Sequence, residues 1–414
     1  MTLEDILAFD AADPLRDKRD LFNIPEGVIY LDGNSLGVLP KATPDAMNDM
    51  LRRQWGQDLI RSWNSNDWIN APRRIGDKIG RLIGAAEGQV IAADSTSINV
   101  FKVLSAASQL NSGRLILLSE TGNFPTDPYM MEGWATATGN RMIAELVEPS
   151  RILDRLAPDV AVLLLTQIHY KSGEVWDMNE ITHRAHEAGA LVIWDLSHSA
   201  GAIPVELDKC KVDFAVGCGY KFLNGGPGAP AYIYVAERHQ SKVMPVLPGW
   251  MGHASPFDFE DSYVPGQGIK RFLCGTPGIL GMCALEIGVD IFQSVDMGVL
   301  RTKSRQLGDL FIALVEENRM GFELASPREA DMRGSQVSIR HPGGYAIMQA
   351  LIERGVIGDF RAPDILRFGF TPLYTRYVDV WQAVSTLVDI CLLYTSDAAA
   401  EGLGVDLGGR RIIK

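Results

Sequence analysis

The chain has 414 residues, of which 46% are hydrophobic and 22% charged, and its formal net charge is −12. This length exceeds one ordinary hydrophobic core, so we expect two domains in a protein of ordinary globular composition. The acidic balance, without a basic cluster, argues against nucleic acid and anionic membranes as partners. No apolar run reaches membrane-span length, and the acidic start of the chain lacks the order of a secretory signal.

The cysteines form no CxxC pair and no spacing typical of a metal site, so we predict no bound metal. They are Cys210, Cys218, Cys274, Cys283 and Cys391. Isolated cysteines of this kind are typical of a reducing compartment, and we expect a cytoplasmic protein.

Helical and strand patterns alternate from about residue 85 to residue 235. The spacing of apolar residues predicts helices over 42–55, 73–83, 98–110, 179–188, 280–295 and 299–317. Short apolar runs predict strands over 114–120, 159–166, 191–194, 214–216, 231–235 and 336–340, and one more within 365–374. The alternation is typical of an α/β protein with a mostly parallel, doubly wound sheet, and the later elements predict a smaller α+β C-terminal domain.

Polar residues stand at several junctions between these elements. Hydroxyl residues before the helix at 98–110, Thr96 and Ser97 among them, either cap that helix or bind an anion at its start. In the proline-containing loop 121–129, Phe124 can stack on a flat ring and Asp127 can reach the polar edge of that ring. The alternative is a stiffened turn. The stretch 61–68 has the composition of a polar loop.

Two polar residues follow neighbouring strands at the edge where open α/β sheets bind ligands. Asp195 ends one apolar run, and Lys221 follows a glycine-rich turn after the next. Burial disfavours an ammonium, and a neutral amine there can form a Schiff base with pyridoxal phosphate (PLP). A carboxylate can pair with the protonated pyridine nitrogen of that cofactor. The alternatives are a surface lysine and a turn acid. Arg367, on a predicted strand, is either an ion-pair partner or a clamp for a substrate carboxylate.

Several runs in this order resemble the kynureninases, which are class V aminotransferase-like PLP enzymes of fold type I. The resemblance spans roughly residues 5–390, and the matching runs are 31–37, 94–99, 124–127, 194–201, 219–228 and 367–369. It implies a PLP-dependent transferase-like fold. It also implies hydrolysis of L-kynurenine, and possible use of 3-hydroxy-L-kynurenine, to anthranilate or its 3-hydroxy form and L-alanine. That reaction belongs to tryptophan degradation and NAD biosynthesis.

The resemblance assigns roles to residues position by position. Lys221 would form the Schiff base and act in catalysis with Tyr220 and Asp195. The implied cofactor-binding residues are Thr96, Ser97, Phe124, Asp127, Thr166, Asp195, His198, Tyr220, Lys221, Trp250 and Thr276. The implied substrate-binding residues are Asn34, Ser35, Trp63 and Arg367.

The resemblance also implies a homodimer with shared active sites, because Trp250 and Thr276 would reach the cofactor phosphate of the neighbouring subunit. Family members that prefer the hydroxylated substrate carry His and Asn at the positions of Trp63 and Thr276, which favours L-kynurenine here. The alternatives are another class V enzyme, such as a cysteine desulfurase or an aminotransferase, and a non-catalytic PLP-binding homologue.

The expected domain division follows from the same reading. Residues 1–48 would join the small domain, 49–285 would form the PLP-binding domain, and 286–390 would form the C-terminal domain. Residues 391–414 lack an amphipathic period and resemble translated sequencing-adapter read-through. We therefore expect those residues to be a non-native tail.

Overall fold

The computed structural model describes the backbone of residues 1–401 and the side chains of residues 1–392. Its strands are β1 Ile29–Tyr30, β2 Val90–Ala92, β3 Ile116–Glu120, β4 Ile143–Val147, β5 Val160–Thr166, β6 Leu191–Asp195, β7 Phe214–Gly217, β8 Tyr232–Val235, β9 Glu323–Leu324, β10 Gln336–Arg340, β11 Val356–Ile357, β12 Asp359–Arg361 and β13 Ile365–Gly369. Its α-helices are α1 Leu3–Ala12, α2 Thr43–Asp49, α3 Ser62–Ser65, α4 Ala71–Leu82, α5 Thr96–Leu110, α6 Thr126–Ala137, α7 Ile152–Arg155, α8 Met178–Glu187, α9 Glu237–Gln240, α10 Ile279–Asp290, α11 Met297–Glu317, α12 Gly344–Glu353 and α13 Tyr377–Glu401.

Seven strands form the central sheet, in the order β2-β8-β7-β6-β5-β3-β4. The strands β4, β3, β5, β6 and β7 run parallel, whereas β8 is antiparallel to both of its neighbours. The prediction of a mostly parallel sheet is therefore confirmed. The sequence pattern did not predict β4, which lies at the sheet edge and alternates between exposed and half-buried residues.

Helices cover both faces of the central sheet, as β5 shows. Leu163 and Leu165 pack in one core with residues of α4 and α8, and Val162 and Leu164 pack in another core with residues of α5. A strand that is covered on both faces has apolar residues at every position, which explains its continuous apolar run. The doubly wound arrangement is confirmed.

A second, antiparallel sheet with the order β12-β13-β10-β9 forms the C-terminal part of the fold. Its core includes residues of α11, α12 and α13, and the ring of Phe311 lies 4.8 Å from that of Phe368 between centroids. The short parallel pair of β1 with β11 and a bridge from Asp32 to Gly369 join the N-terminal segment to this sheet. We call the antiparallel sheet β12-β13-β10-β9 the C-terminal sheet.

The prediction of a loop over residues 61–68 is wrong for part of that stretch. Ser62–Ser65 form α3, and a 3-10 turn follows at Trp68–Asn70. The hydroxyl of Ser62 and the indole N–H of Trp68 both donate hydrogen bonds to Gln54, which folds the stretch back on the preceding helix.

The expected non-native tail, residues 391–414, lies largely outside the described residues. The helix α13 continues to Glu401, and residues 402–414 are not described. Within residues 1–401, no helix is both long enough and apolar enough to cross a membrane.

The buried carboxylate of Asp213, at the amino end of β7, links several elements through hydrogen bonds. The carboxylate of Asp213 accepts hydrogen bonds from His186 at 2.7 Å, His239 at 2.8 Å and Arg238 at 2.7 Å, and from the backbone N–H of Val192 at 2.9 Å. Burial favours the protonated acid, but the hydrogen bonds from the two histidines outweigh it and hold the pKa of Asp213 below its usual range.

We expect Asp213→Asn to lower the free energy of unfolding by roughly 3 kcal/mol at pH 7, because it removes one partner of a buried charge network. Urea denaturation measures this loss. The folded-state pKa of Asp213 is depressed, so its contribution is present above about pH 4 and is lost as the pH falls further. Lys209→Ala, which breaks an exposed ion pair with Glu206, is the control and should change stability by less than about 0.5 kcal/mol. An unchanged unfolding midpoint in Asp213→Asn would contradict the assignment.

Candidate active site

A cavity of about 190 Å³ lies at the carboxyl edge of the central sheet. Thr166 and Asp195 end β5 and β6 there and are paired in register, so their side chains reach the cavity side by side. The lining residues are Asp94, Ser95, Thr96, Ser97, Phe124, Thr126, Thr166, Tyr170, Asp195, Ser197, His198, Tyr220, Lys221, Gly228, Ala229 and Ala231. Of the predicted site residues, the structure brings together Thr96, Ser97, Phe124, Thr166, Asp195, His198, Tyr220 and Lys221 around this cavity.

The amino end of α5 forms one wall of this cavity. Ser95 occupies the N-cap position, but its side chain makes no capping hydrogen bond. The hydroxyl oxygen of Thr96 is buried and has no hydrogen-bond partner among the described residues. Of the two alternatives for these hydroxyls, capping is therefore not observed. The free N–H groups and the unpartnered hydroxyl are suited to an anion.

Asp195 lies in the floor of the cavity, and the fully buried Asp127 lies close to it without lining the cavity. One oxygen of Asp127 accepts a hydrogen bond from Asn123 at 3.2 Å and lies 3.2 Å from the hydroxyl of Thr166, whereas its Oδ1 has no partner among the described residues. Asp195 accepts from the backbone N–H of Ser197 at 2.8 Å. Burial raises the pKa of both acids, and the charge of Asp195 further raises the pKa of Asp127. A cation placed against this pair would relieve their repulsion.

Lys221 faces this floor from the turn after β7. Its Nζ lies 3.1 Å from Nε2 of His198, and 5.7 Å and 5.8 Å from the ring centroids of Phe124 and Tyr220. The side chain is half-buried. The residue extends from a turn beyond the buried strand into the open cavity, where solvent reaches it.

The Lys221 turn packs against the Gly33–Gly37 turn near the start of the chain. The backbone N–H of Gly37 donates to the carbonyl of Tyr220 at 2.8 Å. A Cβ atom at Gly37 would lie 2.5 Å from the carbonyl oxygen of Lys221, so only glycine fits this contact. This packing explains the glycine at the end of the run 31–37.

Arg367 lies behind the cavity, on β13, and is only 1% exposed. Its Nε donates to Asp359 at 2.8 Å, and a second bond from Nη2 to the same carboxylate makes the pair bidentate. Nη2 also donates to Ser35 at 2.8 Å and Nη1 to the carbonyl of Tyr170 at 2.6 Å. Of the two alternatives for Arg367, the structure shows the ion pair. Burial and then the charge of Asp359 raise the pKa of nearby Asp32 to about 7.

Besides Arg367, six predicted site residues do not line this cavity: Asn34, Ser35, Trp63, Asp127, Trp250 and Thr276. Trp63 packs edge-on against Trp68, with 5.9 Å between ring centroids. Trp250 is 39% exposed, and Thr276 lines an adjacent cavity of about 330 Å³. Asn34 is buried, and its Nδ2 lies 3.4 Å from Oε1 of Gln336.

The structure adds residues that sequence reasoning missed. Tyr170 packs its ring edge-on against Phe124, at 5.3 Å between centroids, and Asn123 accepts the Phe124 backbone N–H at 2.7 Å. Gln336 and Asp359 come from the C-terminal sheet. Asn123 and Tyr170 follow predicted strands, which was a usable signal. Gln336 and Asp359 carried none, since only the folding of the second sheet onto the first brings them here.

Comparison with known proteins gives close relatives along nearly the whole chain. A protein named kynureninase from Burkholderia pseudomallei is 48% identical over 396 residues, which cover 94% of this chain and 95% of the relative. A kynureninase from Pseudomonas fluorescens has the same identity and coverage. The chain belongs to the kynureninase family. The family model described as "Kynureninase C-terminal domain" matches residues 300–387, which include β10 and β13.

Solved structures outside the kynureninase family share its fold. The cysteine desulfurase CsdA from Escherichia coli has a TM-score of 0.76 at 20% identity, covering 92% of this chain and 98% of that one. A C-DES mutant with glycine covalently linked to its PLP cofactor has a TM-score of 0.77 at 15% identity, covering 90% and 99%. These likenesses confirm the PLP-dependent transferase-like fold predicted from the sequence.

Proposed function

We propose that this chain is a PLP-dependent hydrolase that cleaves L-kynurenine to anthranilate and L-alanine. The observation that carries the proposal is the placement of Lys221 and Asp195 in one cavity, next to the buried Asp127, in a chain that is 48% identical to proteins named kynureninase. A lysine that forms a Schiff base and a carboxylate that pairs with a pyridine nitrogen are the parts that PLP chemistry requires.

The cavity fits PLP in three respects. The unpartnered hydroxyl of Thr96 and the free N–H groups of α5 suit a phosphate group. The unpartnered Oδ1 of Asp127 and the neighbouring Asp195 suit a protonated ring nitrogen. The ring of Phe124, which is held by Asn123 and Tyr170, suits a flat aromatic system. His198 and Thr166 would complete the ring site, and Ser97 and Tyr220 the phosphate site.

When bound, PLP supplies an electron-withdrawing ring that stabilises negative charge on the carbon atoms of the substrate. Lys221, once its amine is free, removes the proton from Cα. The carboxylate of Asp195 would pair with the ring nitrogen and favour its protonated form. Water adds to the γ-carbonyl group, the Cβ–Cγ bond breaks, and Cβ then needs a proton to become the methyl group of alanine. The phenol of Tyr220 lines the cavity, is protonated at neutral pH and can supply that proton.

Arg367 is the proposed partner of the substrate α-carboxylate, together with Ser35 and Asn34. Its guanidinium already bonds to Asp359, Ser35 and the Tyr170 carbonyl. A substrate carboxylate must therefore share the guanidinium with Asp359 or replace it. The preference for L-kynurenine over its 3-hydroxy form is also part of the proposal, through Trp63 and Thr276.

A cysteine desulfurase is the second candidate, because solved desulfurases have the same fold. That likeness, at 20% identity, covers the fold alone. A desulfurase needs a nucleophilic cysteine at the substrate. The described lining of the Lys221 cavity includes no cysteine, and Cys274 lines the adjacent cavity instead. The residues of the site favour kynurenine hydrolysis over cysteine desulfuration and over a non-catalytic homologue.

We further propose a cytoplasmic homodimer with shared active sites. Trp250 and Thr276 lie outside the cavity of their own chain, with Trp250 exposed beside exposed Phe257 and Phe259, as residues that serve a partner would be. The proposed domain division, 1–48 with 286–390 around 49–285, is supported by the separate C-terminal core, which includes Leu31.

Purified protein supplied with PLP should convert L-kynurenine to anthranilate, which is measured by its fluorescence, and should give a higher kcat/KM for it than for 3-hydroxy-L-kynurenine. It should release no sulfide from L-cysteine. Lys221→Ala should lose turnover by at least about 1000-fold, because the covalent and proton-transfer roles are both removed. Sulfide release without anthranilate would favour the desulfurase instead.

Tyr220→Phe should lower kcat by about 100-fold, the usual contribution of a general acid, while PLP affinity changes by less than about threefold. Steady-state kinetics and absorbance titration with PLP measure the two effects. Unchanged turnover would remove Tyr220 from the mechanism, and loss of PLP binding alone would assign it to the phosphate site.

Co-expression of Lys221→Ala with the double variant Trp250→Ala/Thr276→Ala tests the shared site. Each parent should be impaired, and mixed dimers should hold one intact site, so activity should recover to about one quarter of the wild-type value. A mixture that shows only the mean activity of its parents would contradict a site built from two subunits.

A further inference from the structure

Gln336 connects the C-terminal sheet to the Lys221 cavity. It is the first residue of β10, and its side chain is buried. Its Oε1 lies 3.2 Å from Nδ1 of His198 and 3.4 Å from Nδ2 of Asn34, and its Nε2 lies 3.1 Å from the carbonyl oxygen of Tyr170. No sequence motif pointed to this residue.

These contacts fix the orientation of the Gln336 amide. The carbonyl of Tyr170 can only accept, so the NH₂ end of the amide must face it. The oxygen end then faces Asn34 Nδ2, which can only donate, and His198 Nδ1. That imidazole nitrogen must therefore carry a hydrogen.

The ring of His198 is neutral in this setting. Burial lowers its pKa well below the ordinary value, and the positive charges of Lys221 and Arg367 lower it further. A neutral imidazole carries one hydrogen, so protonation at Nδ1 leaves a lone pair at Nε2. That lone pair faces the Lys221 Nζ at 3.1 Å.

We propose that Gln336 is a positioning residue that holds His198 in its Nδ1–H tautomer, so that Nε2 accepts a hydrogen bond from the free amine of Lys221. The inference rests on the proposed role of Lys221 as the reactive amine. With His198 as acceptor, the lone pair of a neutral amine stays free for attack on a carbonyl carbon or for taking a proton. The opposite tautomer would donate Nε2–H to that lone pair and mask it.

The tautomer can be read directly in the protein without PLP. In protein with ¹⁵N-labelled histidine, two-bond ¹H–¹⁵N spectra distinguish a protonated ring nitrogen from an unprotonated one. The signal of His198 is the one lost in His198→Gln. We expect a protonated Nδ1 and an unprotonated Nε2 in the wild type. A wild-type ring protonated at Nε2 would overturn the proposal.

Gln336→Met keeps the length of the side chain but cannot accept the Nδ1 hydrogen. We expect His198 to shift at least partly to the Nε2–H tautomer, and the rate of PLP uptake, followed by absorbance, to fall about tenfold, the equivalent of one hydrogen bond. Gln336→Glu keeps an acceptor and should retain the Nδ1–H tautomer, which serves as a second test if the methionine variant does not fold.

Ser338→Ala is the matched control. Ser338 lies on the same strand and donates to the carbonyl of Lys171, so its loss removes a neighbouring contact between the sheets without touching His198. It should leave both the tautomer and the uptake rate unchanged. An equal effect of Ser338→Ala and Gln336→Met, or no effect of the latter, would overturn the proposal. Absence of kynurenine turnover alongside the expected tautomer would instead refute only the proposed function.

Discussion

The burial of two carboxylates side by side, Asp127 and Asp195, is the constraint on which the rest of the site depends. Removing a charge from water costs several kcal/mol, and two like charges raise that cost. The fold partly offsets it with hydrogen bonds from Asn123 and Ser197 and with the nearby Lys221. One oxygen of Asp127 still has no partner within the described residues. A protonated ring nitrogen would compensate the remaining negative charge, and we propose that the two carboxylates are the reason why this site would bind a cationic heterocycle.

The central sheet brings the acids and Lys221 together, and residues of the C-terminal sheet contact the side chains around them. Gln336 and Arg367 both donate to the carbonyl of Tyr170, the residue whose ring packs against Phe124. A contact made by the second sheet is thereby transmitted to the ring proposed to stack on the cofactor. The same sheet supplies Asp359, which occupies the guanidinium of Arg367. Substrate binding at Arg367 would therefore be coupled to the geometry of the cofactor site.

Much of this arrangement could be predicted from the sequence because local signals were strong. Buried parallel strands such as β5 are apolar along almost all of their length, and the polar residues that end them, including Asp195 and Thr166, line the site. The helix predicted over 98–110 begins two residues earlier, at Thr96. The edge strand β4 was missed because none of its residues is fully buried, so it lacks the burial pattern of the central strands.

The remaining residues could not be predicted from local pattern. Gln336 and Asp359 enter the site only through packing between the two sheets, and no local spacing encodes that packing. The resemblance to a known family assigned Trp250 and Thr276, whose proposed place in the site would depend on a second subunit.

The most direct test of the central claim compares PLP with an analogue in which carbon replaces the ring nitrogen. We expect the wild type to bind PLP at least about tenfold more tightly than the analogue, since a hydrogen bond to a charged group contributes about 1.5–3 kcal/mol. Asp195→Asn should lose most of that preference. Equal affinities in the wild type, or a preference unchanged in Asp195→Asn, would contradict the claim that the buried carboxylates recognise the ring nitrogen.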